Sequence, residues 1–376
     1  MIDVSKIAIV HDDLMRRGGA EQVALALHKT FPDAPIYTLC YQPELTYPEF
    51  KLADIRTSVF QKMVKTEKWM KLLFYPFGFW AMRLLKVRGY DKVILSSTYA
   101  SKYANIEEGT KIINYCHNPF RLVWYPESYP EVKEASFIKK LLYNIVISRL
   151  RSIDYKYSRK SDLTIVNSKV VQKRIEEIYG LTNAPVVNPP VNLENFIPIE
   201  KGAKSDNYLV VSRFEYYKRV DLVIDTFNAL NLPLVIIGNG TLKAELMARA
   251  NKNIIFKHNL SKEELLEEYA RAKALIFPQE EDFGITPLEA NASGTPVIAY
   301  GRGGVTETMI PLNQQEMNRN ATAVFFDEQN TKSLTEAIMH FINNEKHFEE
   351  EVLVLNASKF SIDSFSNSII SWVNDV

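Results

Sequence analysis

Nine short runs of β-branched and aliphatic residues, separated by segments of helical spacing, limit what this chain can fold into more than any other feature of it. The first four lie at 7–10, 92–95, 111–114 and 163–166, with helical patterns such as 21–30 between them. Five more follow at 208–211, 234–237, 254–256, 274–277 and 296–299, interleaved with helical stretches around 220–230, 242–250 and 262–271. Strands that read as near-continuous apolar runs, with helices between them, belong to parallel sheets covered on both faces. Each set therefore predicts its own doubly wound α/β domain. A length of 376 residues suits two domains of about 150 to 200 residues each. Between the sets lies Ala184-Pro-Val-Val-Asn-Pro-Pro-Val-Asn192, whose prolines favour an extended connection over a helix. The expected division is a first domain over 1–183, a linker over 184–200, a second domain over 201–360 and a closing helix over 361–376. In that helix the spacing of Phe365, Ile369, Ile370 and Val373 provides an apolar stripe that would pack back on the first domain.

Composition narrows the function classes. The two cysteines, Cys40 and Cys116, are far apart and have no CxxC or Cys/His spacing, which argues against a disulfide framework and a zinc site and predicts a reducing, cytoplasmic setting. The only apolar run in the first fifteen residues is too short for a signal peptide or a membrane span. Formal net charge is zero, but residues 1–200 hold 28 basic and 21 acidic side chains, whereas 201–376 hold 17 and 24. The balanced total and the lack of any nucleic-acid module argue against nucleic acid as a partner.

The segment richest in chemistry is Phe277-Pro-Gln-Glu-Glu-Asp-Phe-Gly-Ile-Thr-Pro-Leu-Glu-Ala-Asn-Ala-Ser-Gly-Thr-Pro-Val-Ile298, a strand, loop, helix and strand. Glu281 falls just past a strand's carboxyl end, where open α/β sheets place ligands. Phe283, Gly284, Ile285 and Thr286 would present backbone amides at a helix N-terminus, a natural anion site. Glu289, expected about two turns into that helix, is an acceptor-only group suited to a ribose diol; otherwise it is a solvated acid on an exposed face. Gly18 and Gly19 sit between the first strand and a helix, where absent side chains would let backbone approach a phosphate, or simply form a tight turn. Arg213 and Lys218 follow the first strand of the second domain. They would neutralise a diphosphate, or else pair with Glu215 or Asp221 on the surface. His117 follows a first-domain strand, as does His11, and either could be a structural histidine.

These residues together resemble the retaining glycosyltransferases of family 4. The 277–298 segment is similar to that family's Glu-x7-Glu signature, Arg213 and Lys218 to its Arg-x4-Lys pattern, and Gly18-Gly19-Ala20-Glu21 and Asn188–Phe196 to landmarks in the same order. The resemblance implies the two-domain GT-B fold, with the domains facing across a cleft, acceptor on the first and nucleotide mostly on the second. It implies transfer from a nucleotide diphosphate sugar, used as co-substrate with no other cofactor and no metal. The chain has no Asp-x-Asp pair. Arg213 and Lys218 would stabilise the departing diphosphate, His117 would position the sugar, Glu281 would bind its hydroxyls, and Phe283 to Thr286 with Glu289, Gly18 and Gly19 would hold the donor. The passage 116–129 looks like bacterial polysaccharide mannosyltransferases, which favours GDP-mannose and a glycan or lipid-linked acceptor. A UDP-sugar enzyme of the same family, and a sugar-nucleotide-binding protein without turnover, are the alternatives.

One bias needs its own account. Between Arg56 and Arg88 eight Lys or Arg face a single acid, Glu67, and aromatic residues crowd among them. Lys62, Lys65, Lys68, Trp69, Lys71 and Trp80 would form an acceptor or membrane face, rings at the headgroup boundary and cations on anionic lipid, at the cytoplasmic side of the inner membrane. The other reading buries the aromatics under a solvated basic rim.

Overall fold

The computed structural model describes residues 6–64, 77–128, 136–196, 198–199, 204–312 and 320–376, and the chain divides into two compact units. The first comprises Met1–Pro190 together with Asp363–Val376, and the second Val191–Ile362.

Strands of the first unit run in chain order as β1 (Ile7–His11), β2 (Ile36–Thr38), β3 (Ile55–Thr57), β4 (Lys86–Val87), β5 (Lys92–Ser97), β6 (Asn105–Ile106), β7 (Lys111–Cys116) and β8 (Leu163–Val166). Six of them build one sheet in the order β3-β2-β1-β5-β7-β8, every pair parallel; β4 and β6 form a separate ribbon. The order runs outward from β1 to β3, returns beside β1 at β5 and runs out again. This is a doubly wound sheet whose direction switches between β1 and β5. Helices cover both faces because both faces are apolar: Ile9, Ile94 and Ile113 point into one core with Val23 and Leu27 of the Gly19–Thr30 helix, while Val10, Val93 and Leu95 point into the other. The closing helix, Ile362–Asn374, buries Phe365, Ile369 and Val373 in the first of these cores, as its stripe predicts. Lys92 Nζ donates to the Val373 carbonyl near its end.

Strands of the second unit are β9 (Tyr208–Val211), β10 (Leu234–Ile237), β11 (Ile254–Lys257), β12 (Leu275–Phe277), β13 (Val297–Tyr300) and β14 (Ala323–Phe326), all parallel in the order β11-β10-β9-β12-β13-β14. The topology repeats that of the first unit, with its switch between β9 and β12.

The segment expected as a linker divides. Residues 184–190 belong to the first unit, tied by a bridge from Val166 to Val186 and by Tyr115 donating its hydroxyl to the Val187 carbonyl. From Val191 the chain belongs to the second, where the Val191 amide donates to Phe360. The structure also adds a 22-residue helix, Phe137–Ser158, that the apolar pattern does not announce. It is anchored by a buried charge. Asp154 accepts from Lys102 Nζ at 2.7 Å, Tyr103 at 2.8 Å, Trp124 Nε1 at 2.8 Å and Tyr179 at 2.5 Å. Every lone pair of that carboxylate is engaged, the condition under which a buried ion pair is tolerated.

Candidate active site

In an open doubly wound sheet the loops leaving the two strands at the switch point diverge and open a crevice at the carboxyl ends. Both units put sequence-predicted residues there.

In the second unit the relevant loops follow β9 and β12. Phe214, buried beside Asn239-Gly240, exchanges backbone hydrogen bonds with Asn239 and Leu242, so its neighbour Arg213 is left exposed and held by a bond from Nη2 to the Tyr217 hydroxyl at 3.0 Å. A single helical turn, Tyr216–Lys218, ends at Arg219 in the left-handed region (φ 51°), and the Val220–Leu230 helix begins there. This sharp exit turns Lys218 toward the β12 loop, where its ammonium pairs with the Glu281 carboxylate. Asp221, near Lys218 in sequence, lies 3.6 Å from Arg219 Nε. The Lys218 side chain is 11% exposed and that of Glu281 25%, so the pair sits at a half-dry surface. Gln279 Nε2 donates to the same Glu281 oxygen at 3.3 Å. Gln329 ties the two loops together, accepting from Arg219 and donating to the Pro278 carbonyl at 2.8 Å.

Two glycines fix the height of Glu281. The Gly304 amide donates to the Glu281 carbonyl at 2.8 Å, and a Cβ on Gly303 or Gly304 would run into the backbone of Glu281 or of Phe283. Arg302-Gly303-Gly304 after β13 is thus part of the site, although the sequence reading passed over it; three glycines in four residues at a strand end were the available signal. Phe283 is a core side chain, stacked edge-on with Phe360, and Gly284 (φ 87°) turns the chain into the Ile285–Ala292 helix. Ile285 and Thr286 open that helix, whose first N–H groups have no intrahelical partners and face outward with the positive end of the dipole. Because the helix starts at Ile285, Glu289 stands little more than one turn into it, not two. Nor is it a solvated acid. It is partly covered, accepts the Tyr269 hydroxyl at 2.7 Å, and has its pKa raised by burial, against which the Tyr269 bond works.

In the first unit the corresponding loops follow β1 and β5. Asp12 is buried and its carboxylate accepts four amides, those of Thr98 (2.7 Å), Tyr99 (3.0 Å), Ala100 (2.9 Å) and Ser101 (2.7 Å), which moulds the β5 loop around it. Sequence reading missed this residue; its partners follow the adjacent strand β5, 86 to 89 residues away in sequence, and could not be seen. His11 and His117 are both buried, 1% and 8% exposed, and meet through the Ser96 hydroxyl. Burial, with His11 beside it, pushes His117 down to about 3, and burial lowers His11 as well, so both rings are neutral near pH 7. Gly18 caps the Gly19–Thr30 helix in an extended conformation. A Cβ there would come within 2.6 Å of a Glu21 carboxylate oxygen, so the gap serves this buried acid, whose pKa burial raises to about 8. Gly19 is exposed beside it.

Of the basic aromatic face, Lys62 and Trp80 are exposed, Trp80 by 60%, while Lys65, Lys68, Trp69 and Lys71 lie outside the described residues. The Phe79–Leu84 helix packs on the turn Val59–Lys62 and buries Ala81 and Met82. Val59, Met63, Phe77 and Leu84 remain exposed. No described helix is long and apolar enough to cross a membrane, and the described residues contain no cluster of His, Cys, Asp and Glu that could hold a metal ion.

Residues 193–357 match the family described as Glycosyl transferases group 1. The chain is 23% identical to the Alpha-1,3/1,6-mannosyltransferase ALG2 of Candida albicans, over 83% of this chain and 85% of that one. It is 30% identical to the O-antigen chain mannosyltransferase C of Escherichia coli over 38% of each. Among solved structures, the sucrose-phosphate synthase from Thermosynechococcus elongatus superposes with a TM-score of 0.73 at 14% identity, covering 98% of both chains.

Proposed function

We propose that this chain, a glycosyltransferase whose second unit is a group 1 domain, moves a mannosyl residue from GDP-mannose to a glycan or lipid-linked acceptor in cell-surface polysaccharide or glycan synthesis. It does so with retention at the anomeric carbon and without a metal ion. The observation that carries the reading is the Lys218–Glu281 pair at the switch point of the second sheet, with Arg213 beside it on the same loop. A diphosphate placed at the Ile285–Ala292 helix N-terminus would draw Lys218 and Arg213 onto its oxygens, where Arg213 can grip bidentately and Lys218 supplies a point charge. Glu281, relieved of its partner, then accepts hydrogen bonds from donor sugar hydroxyls. Glu289, steadied by Tyr269, takes the ribose diol. As the anomeric carbon–oxygen bond breaks, charge gathers on the departing diphosphate and the two cations stabilise it, the task a metal performs elsewhere. The acceptor hydroxyl forms its bond to the anomeric carbon from the same face, and its proton goes to the leaving phosphate oxygen.

Mannose as the sugar is supported by the mannosyltransferases to which the chain is similar. On the first unit, the exposed Trp80, Phe77, Leu84 and Met63 beside Lys62 suit a peripheral contact with anionic lipid, which would bring a lipid-linked acceptor to that unit. The test of the donor is a thermal-shift screen of the purified chain against GDP-mannose, UDP-glucose, UDP-N-acetylglucosamine, GDP and UDP. A shift selective for the guanine compounds and lost in Lys218→Ala is the expected result. A shift selective for uridine compounds would replace the donor, and no shift at millimolar nucleotide would remove the site.

A further inference from the structure

The 22-residue helix Phe137–Ser158 is held by the first unit over only part of its length. From Ile147 onward its inner side is buried: Ile147, Leu150 and Asp154 are covered, and Leu150 shares a core with Phe79 and Met82 of the Phe79–Leu84 helix. Arg83 of that helix stands over the Tyr157 ring at 5.7 Å, so the two helices are neighbours. Before Val146 the described side chains are all exposed, namely Lys139, Lys140, Leu141, Tyr143, Asn144 and Ile145, with Leu141 exposed by 55% and Ile145 by 48%.

The outward side has a pattern of its own. At spacings of four, three, four and three residues, Leu141, Ile145, Ser148, Ser152 and Tyr155 form one stripe on the side away from Leu150 and Asp154, and every one of them is exposed. Lys140 flanks that stripe on one side, Arg149 and Lys156 on the other. Between Ser136 and Lys160 the sequence has seven Lys or Arg and a single acid. That acid is Asp154, wholly buried and paired with Lys102, so the exposed charge of the helix is all positive. Large aliphatic side chains left in water and flanked by cations are the composition of a helix that lies in a headgroup layer. We propose that the projecting part of this helix rests in the interface of an anionic bilayer, with Leu141 and Ile145 at the acyl boundary and Lys140, Arg149 and Lys156 on lipid phosphate. The inference rests on the reading of the first unit as the lipid-facing one, and it adds to the Trp80 face a second element. A second copy of the chain is disfavoured, because a two-fold contact sets the stripe against itself and brings like charges together with no acid between them. A polyanion such as nucleic acid would engage the cations and leave Leu141 and Ile145 in water.

The test reads position and affinity separately on the full chain. Both native thiols, Cys40 and Cys116, are buried, so Ile145→Cys takes a single environment-sensitive fluorophore. With vesicles of phosphatidylcholine containing one third phosphatidylglycerol the probe should brighten and shift to the blue, and with phosphatidylcholine alone it should not. The same probe at Met339→Cys, exposed on the second unit, should stay unchanged with both. In flotation, Leu141→Glu and Ile145→Glu should each weaken partition about 10-fold or more, and Lys139→Gln/Lys140→Gln about fivefold per charge removed, with far-UV circular dichroism as in wild type. A probe at residue 145 that stays in water on vesicles the chain binds overturns the proposal, as does flotation indifferent to all of these variants. If that flotation is nevertheless lost in Trp80→Glu, the lipid-facing reading of the unit stands without the helix, whereas a wild type that never floats removes both. A dimer in sedimentation that Leu141→Glu dissociates would assign the stripe to a second copy and overturn the proposal.

Discussion

Replacing Lys218 by Ala removes one unit of positive charge from the second unit's switch point while leaving its loop anchored by Phe214 and Arg219. The size of the effect follows from the site. The side chain is 11% exposed, so an effective dielectric of about 20 is more apt than that of water, and a unit charge about 4 Å away then interacts with it by about 4 kcal/mol. The departing diphosphate gains between about half and all of a unit of charge at the transition state. The loss is therefore about 2 to 4 kcal/mol, or roughly 30- to 1000-fold in kcat/KM. The pairing with Glu281 adds a second signature. Without Lys218 the Glu281 carboxylate repels the incoming diphosphate, so Lys218→Ala combined with Glu281→Gln should lose less than the product of the two single losses. Initial rates over a range of GDP-mannose concentrations, for wild type, both single variants and the double, complete the cycle. A Lys218→Ala enzyme within about threefold of wild type, or strictly multiplicative losses, would refute the reasoning.

Three other outcomes follow from particular residues. Asp154→Ala leaves Lys102 buried without a counter-charge and takes the acceptor from Tyr103, Trp124 and Tyr179, which should cost about 3 to 5 kcal/mol in urea unfolding; a loss under about 1 kcal/mol contradicts the network. Glu21 binds its proton more tightly folded than unfolded, with a pKa near 8 against an ordinary 4.5, so its contribution favours the fold at low pH and is lost as pH rises through about 8. Glu21→Gln should therefore gain thermal stability relative to wild type between about pH 5 and 8, and a constant difference across that range would exclude the shift. Liposome flotation should recover the chain with anionic vesicles and less of it in Trp80→Glu or Leu84→Glu; absence of flotation in both charge types removes the membrane contact.

Much of the fold was legible because the central strands are long enough to show themselves. Ile7–Val10 and Tyr208–Val211 are continuous apolar runs followed by helical patterns, and they fix the parallel class. Ile36–Thr38 and Ile55–Thr57 are three residues each, too short for any periodicity, and Ala323–Phe326 follows a polar stretch without a strand-like run-up. The Phe137–Ser158 helix escaped because a charge, Asp154, occupies its inner face where a pattern search expects an aliphatic residue. Local spacing placed Glu281, Arg213 and Lys218 on strand-end loops. It could not show that Lys218 would pair with Glu281, 63 residues away, since that depends on the β9 and β12 loops leaving adjacent strands. Tyr269 beside Glu289, Gly304 under Phe283 and Ser96 between two histidines are likewise products of tertiary register.

The most direct test of the central claim is a transfer reaction with GDP-mannose, radiolabelled in the sugar, and a lipid-linked oligosaccharide extract as acceptor, run in the presence of EDTA, with the anomeric configuration of the product read by NMR. The account predicts label in the acceptor fraction, an α-linkage that preserves the donor's configuration, no loss of rate to the chelator, and much slower transfer by Lys218→Ala/Glu281→Gln at comparable enzyme. A β-linked product, or a rate abolished by EDTA and restored by a divalent cation, would contradict it.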